Sequence, residues 1–130
     1  IMNQNINQIK LVVKDYDEAI DFYINKLDFV LLEDTKRSET KRWVRVAPKG
    51  SKEFSLLLSK AKNEQQLQAV GNQTGGGVFL FLYTDDIYRD YQKMLAKGVK
   101  FQSRPIEKDF GIVCLFEDLY GNVYDFIQQK

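Results

Sequence analysis

The order of structural signals along the chain repeats once, and this repeat constrains the fold more than any other feature of the sequence. A strand pattern, an aspartate and an amphipathic helix pattern occupy residues 11–29. The same order returns in residues 82–101, at a spacing of about 70 residues. Further strand patterns follow each helix, so each half has the order βαβββ. Two such units predict an α+β protein in which a helix covers one face of each half-sheet and a mixed sheet curls around a single cavity.

A chain of 130 residues fits one compact domain. Within that domain the pattern predicts module 1 at about 6–60, a linker at about 61–76 and module 2 at about 77–129. The linker contains a short helix pattern and a glycine-rich segment, residues 71–77. This segment lacks the lysine and hydroxyl residue that end a phosphate-binding loop, so its predicted role is to join the modules.

Both helices carry capping signals. Asp15 is followed three residues later by Glu18, which matches a capping box. Asp85 or Asp86 begins the second helix, and Gly98 ends it as a C′ glycine. The predicted buried stripe of the first helix has the spacing i, i+3, i+4, i+7 and comprises Ile20, Tyr23, Ile24 and Leu27.

Composition argues against several classes of partner. Nineteen basic and eighteen acidic residues leave a net charge of +1, which predicts no nucleic-acid partner. No apolar run reaches the roughly 18 residues of a membrane span, and residues 1–5 lack a signal-peptide pattern. The lone cysteine, Cys114, has no internal partner and is predicted to be a small buried hydrophobe in a cytoplasmic protein. The sequence has no histidine, so the commonest metal ligand and general base is missing.

Two segments resemble a known family. Residues 8–15, 19–23 and 27–29 read QIKLVVKD, AIDFY and LDF, and they resemble the opening module of the vicinal-oxygen-chelate superfamily. Residues 116–126 read FEDLYGNVYDF and resemble its closing turn and strand. That superfamily contains glyoxalase I, the bleomycin-resistance and fosfomycin-resistance proteins and the extradiol dioxygenases. Asp28 stands where the family usually has glycine, a position that favours the left-handed backbone.

The resemblance implies four metal-ligand positions, one on the first and one on the last strand of each half. In this chain those positions hold Gln8, Leu57, Phe79 and Asp125. Only Gln8 and Asp125 carry a ligating oxygen, which is too few for Mn²⁺, Fe²⁺, Ni²⁺ or Zn²⁺. We therefore expect no bound metal and no cofactor, with a divalent metal as the alternative.

Other side chains are candidates for the wall of a ligand cavity. Asp125 lies between apolar neighbours, so as a carboxylate within a curled sheet it needs a partner or a raised pKa. Arg45 and Arg104 are its candidate partners. Asp125 is also the one candidate catalytic residue. Aromatic side chains in strands are more often plain core than ligand contacts, but those predicted to line an apolar pocket are Trp43, Phe79, Phe81 and Tyr120.

Three functions are compatible with these residues. The first is a glyoxalase/bleomycin-resistance-like protein that binds a small molecule in an apolar cavity without metal. The second is a metal-dependent lyase, isomerase or dioxygenase of the glyoxalase type, in which metal chelates two neighbouring substrate oxygens. The third is a non-catalytic interaction or sensing module. The missing ligands favour the first, and the family implies a homodimer.

Overall fold

The computed structural model describes residues 1–130. They divide into two compact units, unit 1 (residues 1–67) and unit 2 (residues 68–130). In each unit the first strand is followed by a helix, and the chain then returns to the sheet, as the repeat predicts. The first elements are β1 (Gln8–Val13), α1 (Tyr16–Asp21), β2 (Val30–Lys36), β3 (Arg42–Ala47), β4 (Ser55–Lys60) and α2 (Glu64–Ala69). The remaining elements are β5 (Val78–Tyr83), α3 (Ile87–Ala96), β6 (Lys100–Phe101), β7 (Ile106–Glu107), β8 (Gly111–Glu117) and β9 (Val123–Gln129).

The sheet of unit 1 has the strand order β1-β4-β3-β2. β1 and β4 are parallel, whereas the other neighbouring pairs are antiparallel. Residues paired across strands point to the same face, and α1 packs near β3 and β4. The fully buried face of this sheet carries Leu11, Val13, Val44, Val46, Leu56 and Leu58.

The first helix differs from its predicted form. Asp15 does cap it, since the carboxylate accepts from the Glu18 amide at 2.9 Å. The segment Phe22–Lys26 then continues as a π-helical turn, in which the Leu27 amide donates to the Phe22 carbonyl at 3.1 Å. A π turn holds more residues than an α turn and rotates the buried stripe. The predicted stripe is therefore partly wrong: Tyr23 and Leu27 are buried and Ile20 and Ile24 are half-buried, while further buried positions are Tyr16, Ala19 and Phe22.

Asp28 ends this helical segment in the left-handed region, with φ of 62°. No other non-glycine residue has a positive φ. The conformation predicted from the family's glycine is thus confirmed at Asp28. The Lys49 ammonium donates to its carboxylate at 3.0 Å.

The sheet of unit 2 has the order β5-β9-β8-β6, and β7 also pairs with β8. β7 was not predicted from the sequence, because two residues are too short to show alternation. β5 and β9 are parallel, as β1 and β4 are. The α+β class and the repeated module are confirmed, and enclosure of one cavity stays a prediction. The core of unit 2 includes Ile87, Met94, Cys114, Phe116, Tyr124 and Phe126.

The ends of α3 follow the predicted signals. Asp86, not Asp85, is the N-cap, and its carboxylate accepts from the Arg89 amide at 3.1 Å. Gly98 follows the helix with φ of 90°. None of the helices combines the length and the apolar character needed to cross a membrane.

The turn before β9 is held by two buried polar residues. The Asn122 backbone amide and side-chain amide both donate to the Asp118 carboxylate, each at 2.9 Å. The Gln73 amide donates in turn to the Asn122 side-chain oxygen at 3.1 Å. Since buried polar groups are costly without partners, this network explains why the motif of residues 118–122 specifies one turn. The network fixes where β9 begins and therefore where Asp125 lies along that strand.

Candidate functional site

The sheet of unit 1 has a second, more polar face. Strand pairing sets Lys10, Leu57 and Arg45 side by side across three strands. Gln8 lies on the same face two residues before Lys10, and Trp43 lies two residues before Arg45. Gln8 is exposed, Trp43 and Arg45 are half-buried, and Leu57 is buried. We call this surface the polar face of unit 1.

An arginine network crosses the polar face of unit 1. Arg45 Nε donates to Ser55 Oγ at 3.4 Å, and its guanidinium lies 3.5 Å from Glu33 Oε1. Arg37 lies 3.7 Å from the other oxygen of Glu33, and its guanidinium stands 5.5 Å from the Trp43 ring centroid. Trp43 is therefore held against a cation, which orients its ring.

Sequence reasoning missed three members of this network, namely Glu33, Arg37 and Ser55. Nothing in their sequence neighbourhood identifies them, since only the folded chain brings them beside Arg45 and Trp43. A bulge between Leu31 and Glu33 shifts the register of β2 against β3. Counting residues along β2 therefore cannot identify the partner of Arg45.

Unit 2 has a corresponding face centred on Asp125. Strand pairing places Phe81 and Leu115 on either side of Asp125. Tyr83, two residues after Phe81, shares this face. Phe81 is 61% exposed and Tyr83 is 55% exposed, although both are aromatic. We call this surface the Asp125 face.

The placement of Phe79 corrects a prediction. Its ring packs edge-on against the ring of Tyr124, with 6.0 Å between the ring centroids, and both side chains are buried. Tyr124 points away from Asp125, because neighbouring residues of a strand alternate. A register shift between Val78 and Leu80 accounts for the difference. Phe79 is thus a core residue, and Phe81 occupies the position beside Asp125.

Asp125 has an unusual electrostatic environment. The half-buried carboxylate makes no hydrogen bond or ion pair. Burial raises the pKa of Asp125 above its ordinary value. Burial, with a smaller contribution from the charge of Asp125, also raises the pKa of the Cys114 thiol to about 12. Cys114 is therefore an unreactive buried thiol, as its sequence context predicts.

The two predicted partners of Asp125 have different surroundings. Arg45 is bound by Glu33 and Ser55 within unit 1. Arg104 lies at a surface groove beside α3. Asp125 makes no ion pair with either arginine in this structure, and a role of the two arginines beside a bound ligand stays a prediction. Tyr120 is half-buried in the turn before β9, where its amide donates to Asp118 at 3.0 Å.

The family described as the Glyoxalase/Bleomycin resistance protein/Dioxygenase superfamily matches residues 5–126, nearly the whole chain. The chain belongs to this superfamily. Both segments that carry the resemblance in the sequence lie within the matched residues.

Two sequence relatives match nearly the whole chain. An uncharacterized protein of Shewanella frigidimarina is 57% identical over 128 residues, covering 98% of this chain and 95% of the relative. The Bacillus subtilis protein YetH is 28% identical over 125 residues, covering 95% and 97%. Both matches extend over nearly the full length of this chain and of the relative.

Solved structures of similar sequence have the same fold. TnmS3, described as an antibiotic binding protein from Streptomyces sp. CB03234, is 28% identical with a TM-score of 0.78, covering 100% of this chain and 99% of TnmS3. UcmS2 is 25% identical with a TM-score of 0.84, covering 97% and 98%. A glyoxalase/bleomycin resistance protein from the same Streptomyces strain is 30% identical with a TM-score of 0.72, covering 95% and 100%.

The metal that some superfamily members use does not fit the residues of this chain. Leu57 offers only carbon, and on β5 both Phe79 and the corrected neighbour of Asp125, Phe81, do the same. Nowhere do three or more acidic or cysteine side chains come together as a metal-binding group. Gln8 and Asp125 alone supply too few donors for a divalent transition metal.

Proposed function

We propose that this chain binds an aromatic, largely apolar small molecule at the Asp125 face and does so without a metal or other cofactor. One observation carries the proposal: Phe81, a carbon-only side chain, lies beside a carboxylate that has no partner. An apolar surface around a few directed polar groups is typical of small-molecule sites. A metal site would need oxygen, nitrogen or sulfur there.

Exposure of aromatic rings supports a binding surface. Phe81 and Tyr83 expose more than half of their surface although burial of each would be favourable. A planar ligand stacked on them would remove that area from water. TnmS3, which has the same fold, is an antibiotic binding protein, and this likeness supports a small-molecule ligand for this chain.

The charge on the Asp125 face favours a ligand with a cationic or hydrogen-bond-donating group. Ionised Asp125 can accept hydrogen bonds at both oxygens, and no group in the protein donates to it. A ligand ammonium or amide would offset the cost of its burial. We therefore propose that Asp125 orients the ligand while Phe81 and Tyr83 supply contact area.

A thermal-shift screen of aromatic antibiotics, some with an amine and some without, tests the proposal. Binders containing an amine should raise the melting temperature, and the rise should grow with the logarithm of ligand concentration above the Kd. Phe81→Ala should weaken binding about tenfold or more, because truncating a ring at the centre of a site costs over about 1.4 kcal/mol. Phe110→Ala is the matched control, since Phe110 is 63% exposed and precedes β8.

Two results would contradict binding at the Asp125 face. One is an equal loss of affinity in the Phe81 and Phe110 variants. The other is binding that requires added divalent metal. Trp43 is the one tryptophan of the chain, so its fluorescence reports separately whether the polar face of unit 1 also responds to the ligand.

A second candidate function is metal-free acid–base catalysis by Asp125. Its raised pKa favours this role, because a general base works best with a pKa near the working pH. Conversion of a bound ligand that is lost in Asp125→Asn, while binding persists, would establish catalysis. Binding with no conversion would leave the protein as a binder.

We further propose that two copies associate through β2. This strand lies at one end of the sheet of unit 1, and Val30, Leu31 and Leu32 are each at least 38% exposed. An exposed apolar edge strand is prone to association. Sedimentation should show a dimer, and Leu32→Lys should shift it toward monomer. A monomer at all concentrations would contradict the proposal.

A further inference from the structure

A groove in unit 2 is separate from the Asp125 face. It has a volume of about 510 Å³, which falls in the range of roughly 300–1,000 Å³ that small-molecule sites occupy. Tyr91 lines it and packs edge-on against Phe101, at 4.7 Å between ring centroids. Phe101 pairs with Phe116 of β8, a core residue on the face opposite Asp125. The remaining lining residues are Tyr88, Gln92, Ser103, Arg104, Pro105 and Ile106.

The polar side chains of the groove have no partners within the protein. Tyr88, Gln92 and Arg104 make no hydrogen bond or ion pair, and neither does Ser103. By contrast, Arg89 on the same helix is bound by two aspartates. The groove therefore presents a set of hydrogen-bond donors, including a full guanidinium, to whatever enters it.

Local structure holds both walls in place. Pro105 restricts the backbone of Arg104 to extended conformations, because its ring disfavours the helical region for the preceding residue. The contact with Phe101 restrains Tyr91 on the opposite wall. A backbone segment and a phenol ring that are already restrained lose less entropy when a ligand binds.

We propose that this groove binds a small aromatic carboxylate. The free guanidinium of Arg104 matches a carboxylate, with which it forms two parallel charge-assisted hydrogen bonds. Tyr88 and Tyr91 provide the surface for the ring. The nearest acid in sequence, Glu107, follows Ile106 in β7 and points to the other side of the strand, so it does not oppose an anion.

Benzoate is the probe, and benzamide is its uncharged counterpart of the same shape. In a nuclear magnetic resonance titration of the full chain, benzoate should produce saturable shifts in the amide signals of residues 88–92 and 103–106. Benzamide should bind about tenfold more weakly, because a charged hydrogen bond is replaced by neutral ones. Acetate, which lacks the ring, should also bind more weakly.

Two matched variants isolate the guanidinium. Arg104→Gln should weaken benzoate binding about tenfold, and Arg104→Lys should restore only part of it because lysine lacks the planar fork. Lys93→Gln removes the same charge from exposed α3 but does not line the groove, so it should change affinity less than about twofold. Arg104 is exposed, so its replacement should leave the fold unchanged.

Several outcomes would overturn the proposal. These are equal affinity for benzoate and benzamide, unchanged binding in Arg104→Gln, an equal effect of Lys93→Gln, or no saturable shift up to about 20 mM benzoate. Shifts confined to residues around Phe81 and Asp125 would also overturn it. Because the two surfaces have different residues, this result is independent of the function proposed for the Asp125 face.

Discussion

Asp125 shows how one side chain acquires a property from its strand. It lies between the buried residues Tyr124 and Phe126 in β9, so its backbone is fixed by core packing on the opposite face. Phe81 and Leu115 flank it and offer no hydrogen bond. The carboxylate cannot move away from this apolar surround without disturbing the strand. Its raised pKa is the result.

The raised pKa has a direct consequence for stability. The folded protein holds the Asp125 proton more tightly than the unfolded chain does, so the free energy of unfolding falls as pH rises from the ordinary aspartate pKa through the raised value. Asp125→Asn removes this penalty. We expect the variant to melt at a higher temperature than the parent at pH 7 and at the same temperature near about pH 3, below both pKa values.

The control for this effect is Asp109→Asn, since Asp109 is exposed in the loop before β8. It should leave the difference between pH 7 and pH 3 unchanged. If Asp109→Asn raised the melting temperature at pH 7 as much as Asp125→Asn does, the effect would arise from net charge and not from burial.

At the scale of the element, two adjacent aspartates before α3 have different roles. Asp86 accepts from the backbone amide of Arg89, while Asp85 pairs with the exposed Arg89 side chain at 2.7 Å. The first bond satisfies a helix end, which has no other partner. The second is a surface ion pair and is screened by water.

We therefore expect Asp86→Ala to lower the free energy of unfolding by about 1 kcal/mol, the usual effect of losing an N-cap. Asp85→Ala should leave it nearly unchanged. Urea denaturation of both variants measures the difference. Equal losses would mean that the charge near the helix, and not the cap, stabilises α3.

Two glycines in the segment between α2 and β5 form a second matched pair. Gly71 and Gly75 both have φ of 75°, where alanine is strained. A Cβ at Gly71 would collide with the carbonyl of Tyr120, whereas a Cβ at Gly75 would meet nothing. Gly71 is thus fixed against the turn that precedes β9.

Gly75→Ala should lower the free energy of unfolding by about 1 kcal/mol through backbone strain alone. Gly71→Ala should lower it by about 3 kcal/mol, because the turn must also move. Thermal or urea unfolding tests this. Similar losses in the two variants would show that the close approach to Tyr120 relaxes at little cost.

At the scale of the whole molecule, the absence of a fitting donor set predicts how the protein responds to a chelator. If no metal contributes to folding, dialysis against EDTA should leave the melting temperature within about 1 °C, since only a species bound to the folded state shifts it. Elemental analysis of protein purified without chelator should find no stoichiometric Mn, Fe, Ni or Zn. A stoichiometric metal whose content falls in Asp125→Asn would contradict the proposed metal-free site.

Much of the architecture was predictable because it depends on local patterns. The caps at Asp15 and Asp86, the left-handed Asp28 and the glycine end of α3 each satisfy a local backbone requirement that the residue type reveals. The site was less predictable. Arg45 and Arg104 looked equivalent as partners for Asp125, since sequence distance says nothing about which charges meet.

The sequence by itself determined the repeat, the superfamily and the lack of metal donors, because strand periodicity, capping and residue chemistry are local properties. Tertiary structure alone decided which residues share a surface. Register shifts at Leu31/Glu33 and Val78/Leu80 placed Glu33 beside Arg45 and turned Phe79 into the core. A shift of one residue reverses the face of every side chain that follows. The repeated module could therefore be predicted from the sequence, and the residues that share its binding surface could not.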